Sequence, residues 1–130
     1  MSWYLDSSAI LKLIFDEKER SDLLKVLKTK SITSRVSRIE VSRSVIRLAP
    51  EQIELARLEL SKIDTFPISA VVLNLAESFG SNINLRTLDS IHVATALILG
   101  SSIEVIITYD KAMMKNAKEL GIKVIHPGMK

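Results

Sequence analysis

One short run constrains the fold of this chain more than any other feature. The run Glu104–Thr108 (Glu-Val-Ile-Ile-Thr) is β-branched, continuous and largely apolar. This pattern is typical of a central strand that is buried on both faces. Strands of this kind belong to parallel sheets that helices cover on both sides. The run therefore predicts an α/β protein.

The rest of the chain alternates in the way that this fold requires. Short strands are predicted at Trp3–Leu5, Ile32–Thr33 and Ile122–Ile125, and Pro67 allows only a turn or edge strand at Thr65–Ile68. We expect one α/β domain with a central parallel sheet of about four to five short strands, flanked by helices on both faces. The predicted helices are Ala9–Phe15, one opening at Ser21, Val36–Leu48, Glu51–Lys62, Ser69–Phe79, Leu88–Leu99 and Lys111–Leu120. Their predicted N-caps include Ser7 and Ser8 for the first helix and Thr87 for the sixth.

Composition excludes several classes of protein. The 130 residues suffice for one domain with a real core, and 47% hydrophobic with 25% charged residues is the balance of a globular protein. The absence of cysteine excludes disulfides and thiolate chemistry. The N-terminus has no leader pattern, and no apolar run approaches the roughly 20 residues that span a bilayer. We expect a soluble, cytoplasmic protein without membrane contact.

Two acids follow predicted strands. Asp6 comes directly after the first strand, and Asp110 lies two residues after Thr108. Ligands of open α/β sheets bind beyond the carboxyl ends of the strands, so both side chains should project at the same edge. For either acid alone, a role as turn or cap residue is an equal alternative.

Two further acids lie in predicted helices. Glu40 would ordinarily be a solvated helix residue, and Asp89 would complement the dipole of its helix. Together with Asp6 and Asp110, however, they would repel one another unless a cation is bound. Oxygen-rich sites suit Mg²⁺ or Mn²⁺, which can drive attack of water on a phosphodiester.

Arginines surround the two helical acids, although the net charge is only +3. An arginine beside an acid is normally its salt-bridge partner. Arg43 and Arg47 share the helix face of Glu40, and Arg86 precedes Asp89, so these three are predicted to contact a phosphate backbone. His92 is predicted to be a satisfied core residue rather than a ligand or base.

Four segments resemble the motifs of PIN-domain ribonucleases, and specifically the VapC-like toxins of type II toxin–antitoxin systems. The resemblance covers nearly the whole chain and is most specific in the third segment. The segments are Tyr4–Ala9, Ser37–Arg43, Leu85–Ala96 and Ile107–Lys111.

The resemblance implies a single PIN-like nuclease domain over residues 1–130. It implies that Asp6, Glu40, Asp89 and Asp110 are catalytic, metal-binding acids for Mg²⁺, or alternatively Mn²⁺. Ser8 and Thr108 would support them by hydrogen bonds. It also implies an RNA substrate, a homodimer and a small cognate antitoxin that blocks the site, often with an arginine that reaches the acids.

Alternatives stay open at this point. A PIN-type RNA-processing nuclease without a toxin role has the same sequence features. A receiver-like signalling domain shares the α/β layout but gives no role to Glu40, and a phosphatase with an Asp nucleophile would need an acid where Ser8 stands. The segment Pro50–Pro67 carries no readable chemistry and is expected to shape contacts with substrate or partner.

Overall fold

A five-stranded parallel sheet forms the centre of the protein, in a computed structural model that describes residues 2–27 and 30–129. The strand order is β3-β2-β1-β4-β5, and every pairing is parallel. The strands are β1 (Ser2–Leu5), β2 (Ser31–Ser34), β3 (Asp64–Phe66), β4 (Ile103–Ile107) and β5 (Val124–Ile125). The predicted fold class is confirmed.

Seven α-helices within residues 2–27 and 30–129 cover this sheet. They are α1 (Ser7–Ile14), α2 (Arg20–Val26), α3 (Val36–Leu48), α4 (Ile53–Ser61), α5 (Ala70–Glu77), α6 (Thr87–Leu99) and α7 (Lys111–Glu119). The segment Pro50–Pro67 contains a 3₁₀ turn (Pro50–Gln52), then α4, then β3, which is an edge strand as Pro67 predicts. No helix in the described part of the chain has the length and apolar character needed to cross a membrane.

Strand β1 lies at the middle of the sheet and fixes the register around it. Tyr4 pairs with Ile32 of β2 on one side and with Ile106 of β4 on the other. Since all three strands run in the same direction, their carboxyl ends meet at one edge. The chain leaves β1 at Asp6 and β4 at Thr108, so these residues emerge side by side.

The ends of the helices correct two predictions. Asp6, rather than Ser7 or Ser8, caps α1, because its carboxylate accepts a hydrogen bond from the Ala9 amide. Thr87 lies inside α6, and the N-cap position belongs to Arg86, which makes no side-chain cap bond. The predicted stop of α6 at Gly100 is confirmed, and Gly100 has the positive φ of 51° that glycine adopts without strain.

Helix α6 carries the most continuous buried surface among the helices that position the acids. Its residues 91–96 are all buried, so the helix is locked against the sheet and its neighbours. Asp89 precedes this buried stretch in the first turn. The packing of α6 thereby fixes where Asp89 stands relative to the sheet edge.

Candidate active site

The first part of the acidic edge is a hydrogen-bonded cluster formed by Asp6, Ser8 and Thr108, called the Asp6 cluster below. Asp6 is only 3% exposed. Its Oδ1 accepts hydrogen bonds from Ser8 Oγ at 2.6 Å and from the Ala9 amide at 3.0 Å, and its Oδ2 accepts one from Thr108 Oγ1. Burial raises the pKa of Asp6, although these hydrogen bonds act in the opposite direction.

Thr108 and Ser8 also hold the loop that follows β4. The Asp110 amide donates to Thr108 Oγ1 at 3.1 Å, and the Tyr109 amide donates to Ser8 Oγ at 2.9 Å. Asp110 in turn caps α7, since its Oδ1 accepts from the Met113 amide at 2.9 Å. Its Oδ2 points toward Arg86 instead.

The second part of the edge consists of Arg86, Asp89 and Asp110, called the Arg86 bridge below. Arg86 Nε lies 3.5 Å from Asp89 Oδ2, and Arg86 Nη2 lies 3.8 Å from Asp110 Oδ2. Burial raises the pKa of Asp89, and the charge of Asp110 raises it further, while Arg86 lowers it. The Arg86 side chain is 85% exposed, so an almost fully solvated cation separates two acids that repel each other.

Glu40 forms the third part of the edge, on α3. Its Oε1 lies 2.7 Å from Nε2 of His92, which is buried at 1% exposure. A cavity of about 370 Å³ opens beside it and is lined by Glu40, Arg86, Thr87, Leu88 and Asp89. Glu40 and Asp89 therefore line the same cavity although they are carried by different helices.

Contacts link the four predicted acids one after another. Thr108 connects Asp6 to Asp110, Arg86 connects Asp110 to Asp89, and the cavity joins Asp89 to Glu40. Within residues 2–27 and 30–129, no three acidic or histidine side chains stand close enough together to hold a metal ion. The donors are carboxylate oxygens, which suit a hard cation chemically, but they are not gathered into a finished coordination sphere.

The three arginines that were predicted to contact RNA differ in whether they form ion pairs. Arg43 and Arg47 are exposed on α3, and neither forms an ion pair within the described residues. Arg86 is exposed as well, but it pairs with Asp89 and Asp110, which is the ordinary salt-bridge role that the sequence also allowed.

The environment of His92 goes beyond the sequence prediction. His92 is a buried and satisfied core residue, as predicted, but its two ring nitrogens face Glu40 and Tyr4. Sequence reasoning gave Tyr4 no role beyond the opening strand. The sequence did contain an indication of this contact. Tyr4 lies in a predicted buried strand and His92 in an apolar helix, and a buried hydroxyl or imidazole needs a hydrogen-bond partner.

The sequence matches the model of the PIN domain family over residues 3–120. The chain belongs to the PIN domain family.

Among curated proteins, it is similar to Ribonuclease VapC47 of Mycobacterium tuberculosis (strain CDC 1551 / Oshkosh), with 35% identity over 96% of both chains. It is also similar to Ribonuclease VapC46 of M. tuberculosis (strain H37Rv), with 39% identity over 95% of this chain and 96% of that protein. Family membership decides against the receiver-like domain and the phosphatase with an Asp nucleophile.

Solved structures support the fold independently. A toxin–antitoxin complex from Klebsiella pneumoniae contains a chain that superposes with a TM-score of 0.77 and 19% identity, over 98% of both chains. VapC20 of M. tuberculosis, described as a sarcin–ricin loop cleaving toxin, superposes with a TM-score of 0.74 and 11% identity, over 96% of this chain and 99% of that one. At these identities the likeness establishes the PIN-like fold.

Proposed function

We propose that this protein is a metal-dependent endoribonuclease and the toxin of a toxin–antitoxin pair. The observation that carries the proposal is the linked series of Asp6, Asp110, Asp89 and Glu40 along the carboxyl edge of the sheet. Open α/β sheets bind their ligands at this edge. The ribonuclease names of the VapC relatives, which share more than a third of the sequence, support the same assignment.

The four acids are the groups that would hold Mg²⁺ or Mn²⁺. When bound, such an ion supplies an activated water and offsets negative charge on the phosphate. Burial raises the pKa values of Asp6 and Asp89, so their charged forms lack solvation that a cation would replace. Ser8 and Thr108 support this role by fixing both oxygens of Asp6.

The substrate proposal rests on exposed cations beside the acids. Arg43, Arg47 and Arg86 project from α3 and from the start of α6, where an RNA backbone would run to reach Asp89. Each phosphate contact to a single strand contributes about 0.7 to the slope of log K against log salt. We expect the Arg43→Ala, Arg47→Ala double variant to lower this slope by about 1.4 for a catalytically inactive Asp89→Asn protein. Arg57→Ala, on α4 and paired with Glu54, is the matched control and should leave the slope unchanged.

Exposed apolar side chains support the proposed protein partners, namely a small cognate antitoxin and a second copy of the chain. Three of these side chains lie on α3, and one lies on α4, which belongs to the segment Pro50–Pro67 whose role we assign to such contacts. They are Ile39, Ile46, Leu48 and Leu58.

The test of the activity is cleavage of single-stranded RNA by purified protein, with Mg²⁺ or with EDTA. We expect EDTA to abolish cleavage and renewed Mg²⁺ to restore it. Asp6→Asn and Asp89→Asn should each reduce the rate at least about 100-fold, since each removes a ligand charge. Asp16→Asn changes an exposed acid outside the site and should cleave like wild type. Equal cleavage by all proteins, with or without EDTA, would end the proposal.

A separate observation distinguishes a toxin from an RNA-processing nuclease. A short reading frame for a DNA-binding antitoxin directly upstream of the gene is expected for a toxin. Induced synthesis of the wild-type chain should then arrest growth, and co-synthesis of the upstream product should relieve the arrest. Growth that continues while RNA is cleaved in vitro would instead assign the processing role.

A further inference from the structure

A buried polar chain leads from the sheet into the acidic edge, and none of its internal members belongs to the proposed ligand set. The Ser34 amide donates to Tyr4 Oη at 3.2 Å, Tyr4 Oη lies 2.7 Å from His92 Nδ1, and His92 Nε2 lies 2.7 Å from Glu40 Oε1. Tyr4 is fully buried and His92 is 1% exposed. The chain spans β2, β1, α6 and α3 in turn.

The direction of each hydrogen bond follows from what the groups can donate. A carboxylate only accepts, so the proton shared with Glu40 belongs to His92 Nε2. Tyr4 Oη already accepts from the Ser34 amide, and its own proton finds its acceptor in Nδ1. These partners assign His92 Nε2 as the donor to Glu40 and Nδ1 as the acceptor from Tyr4. Burial raises the pKa of Tyr4 well above its usual value, which keeps the phenol a donor.

The chain controls one oxygen of Glu40 and leaves the other free. Oε1 is engaged by His92, whereas Oε2 makes no hydrogen bond to any residue in the ranges 2–27 and 30–129. The Glu40 side chain is 18% exposed, on a helix whose residues Arg38, Ile39 and Arg43 face solvent. Its contact with a rigid, buried ring holds the carboxylate beside the cavity that Asp89 also lines.

We propose that Tyr4 and His92 are positioning residues that orient Glu40 for divalent-cation binding. This inference rests on the proposed function, because it assigns Glu40 to the ligand set. His92 touches neither substrate nor metal in this role; it acts through Glu40, and Tyr4 acts through His92. Groups that orient metal ligands in this way typically contribute about 10–100-fold to metal affinity.

Two substitutions at one position separate this role from simple core packing. In His92→Gln, the side-chain amide reaches the place of Nε2 and can still donate to Glu40. In His92→Asn, the amide reaches only the place of Nδ1, so it can meet Tyr4 but not Glu40. Both variants bury a neutral amide of similar chemistry, so urea denaturation in EDTA should find them destabilised to a similar extent. Tyr4→Phe removes the phenol proton and leaves the ring packing intact.

The experiment measures Mn²⁺ affinity by electron paramagnetic resonance and, in parallel, RNA cleavage at saturating and subsaturating Mn²⁺. We expect His92→Asn to weaken Mn²⁺ binding about 10–100-fold, His92→Gln to stay within about threefold of wild type, and Tyr4→Phe to fall between them. Saturating Mn²⁺ should restore much of the cleavage rate of His92→Asn. In metal-free wild type, ¹⁵N NMR should find His92 protonated at Nε2, with the Nδ1 resonance shifted in Tyr4→Phe.

Each outcome decides a different statement. Equal Mn²⁺ affinity of His92→Asn and His92→Gln, or a wild-type His92 protonated at Nδ1, would overturn the positioning role and leave the nuclease proposal standing. If wild type itself binds no Mn²⁺ and cleaves RNA in EDTA, the proposed metal-dependent function fails first. Should His92→Asn fail to fold, Tyr4→Phe and the NMR tautomer still decide the matter, because neither requires that variant.

Discussion

The Asp6 cluster and the Arg86 bridge hold acids at the same sheet edge by opposite means. Asp6 is buried and accepts three hydrogen bonds, two from groups of α1 and one from Thr108 directly after β4. Asp89 and Asp110 share one arginine that is 85% exposed, at 3.5 Å and 3.8 Å. The first arrangement is rigid before any ligand arrives, whereas the second depends on a side chain that solvent can draw away. We therefore expect a substrate to enter on the side of the Arg86 bridge.

The largest effect is expected from Thr108→Val, which removes hydrogen bonds of the Asp6 cluster. The substitution keeps the shape of a fully buried side chain but leaves Asp6 Oδ2 and the Asp110 amide without their partner. Leaving buried polar groups unpaired costs about 2–3 kcal/mol, so the free energy of unfolding should fall by that amount in urea denaturation. Thr65→Val, on the exposed edge strand, should change it by less than about 0.5 kcal/mol. Equal effects of the two substitutions on the free energy of unfolding would mean that the hydrogen bonds of Thr108 in the Asp6 cluster add no stability.

A smaller effect should appear in the pH dependence of stability without metal. Burial raises the pKa values of Asp6 and Asp89 above the ordinary 3.8. An acid with a raised pKa binds its proton more tightly in the folded than in the unfolded state. The stability that this difference provides is complete below the ordinary pKa and is lost as the pH rises toward the folded-state pKa. In EDTA, the free energy of unfolding should therefore fall as the pH rises from about 4.

Two variants show how much Asp6 and Asp89 each contribute to this dependence of the free energy of unfolding on pH. Asp6→Asn should flatten the fall more than Asp89→Asn, because Asp6 is the more deeply buried acid and Asp89 has Arg86 beside it. Chemical denaturation at a series of pH values measures both slopes. A steeper slope for Asp6→Asn than for wild type would contradict the assignment.

The parts of the fold that depend on local signals were predictable from the sequence. Helix α3 has the predicted bounds, Val36–Leu48, because an apolar stripe and Pro50 mark it. The caps were less predictable, since Asp6, Ser7 and Ser8 are all good capping residues and only the backbone geometry decides which side chain reaches the Ala9 amide.

The candidate site also has parts that were predictable from the sequence and parts that were not. Asp6 and Asp110 could be placed together because both follow strands whose pairing sets their positions. The contacts of His92 could not, since they join Tyr4 and Glu40 across 88 and 52 residues of sequence and depend on how α3 and α6 are rotated against the sheet. Residue pattern predicts which face of a helix is buried, but it does not predict which polar groups meet inside.

The smallest effect on stability is expected for a substitution in the Arg86 bridge. Arg86→Ala should change the free energy of unfolding by less than about 0.5 kcal/mol, because exposed ion pairs contribute little. Mn²⁺ should then bind about two- to fivefold more tightly, since Arg86 no longer competes for Asp89 and Asp110, while the KM for RNA rises. Arg86→Lys retains the charge and should stay closer to wild type in both measurements. Unchanged Mn²⁺ affinity combined with a large loss of stability would mean that Arg86 stabilises the fold. The Arg86 bridge would then not differ from the Asp6 cluster in this respect.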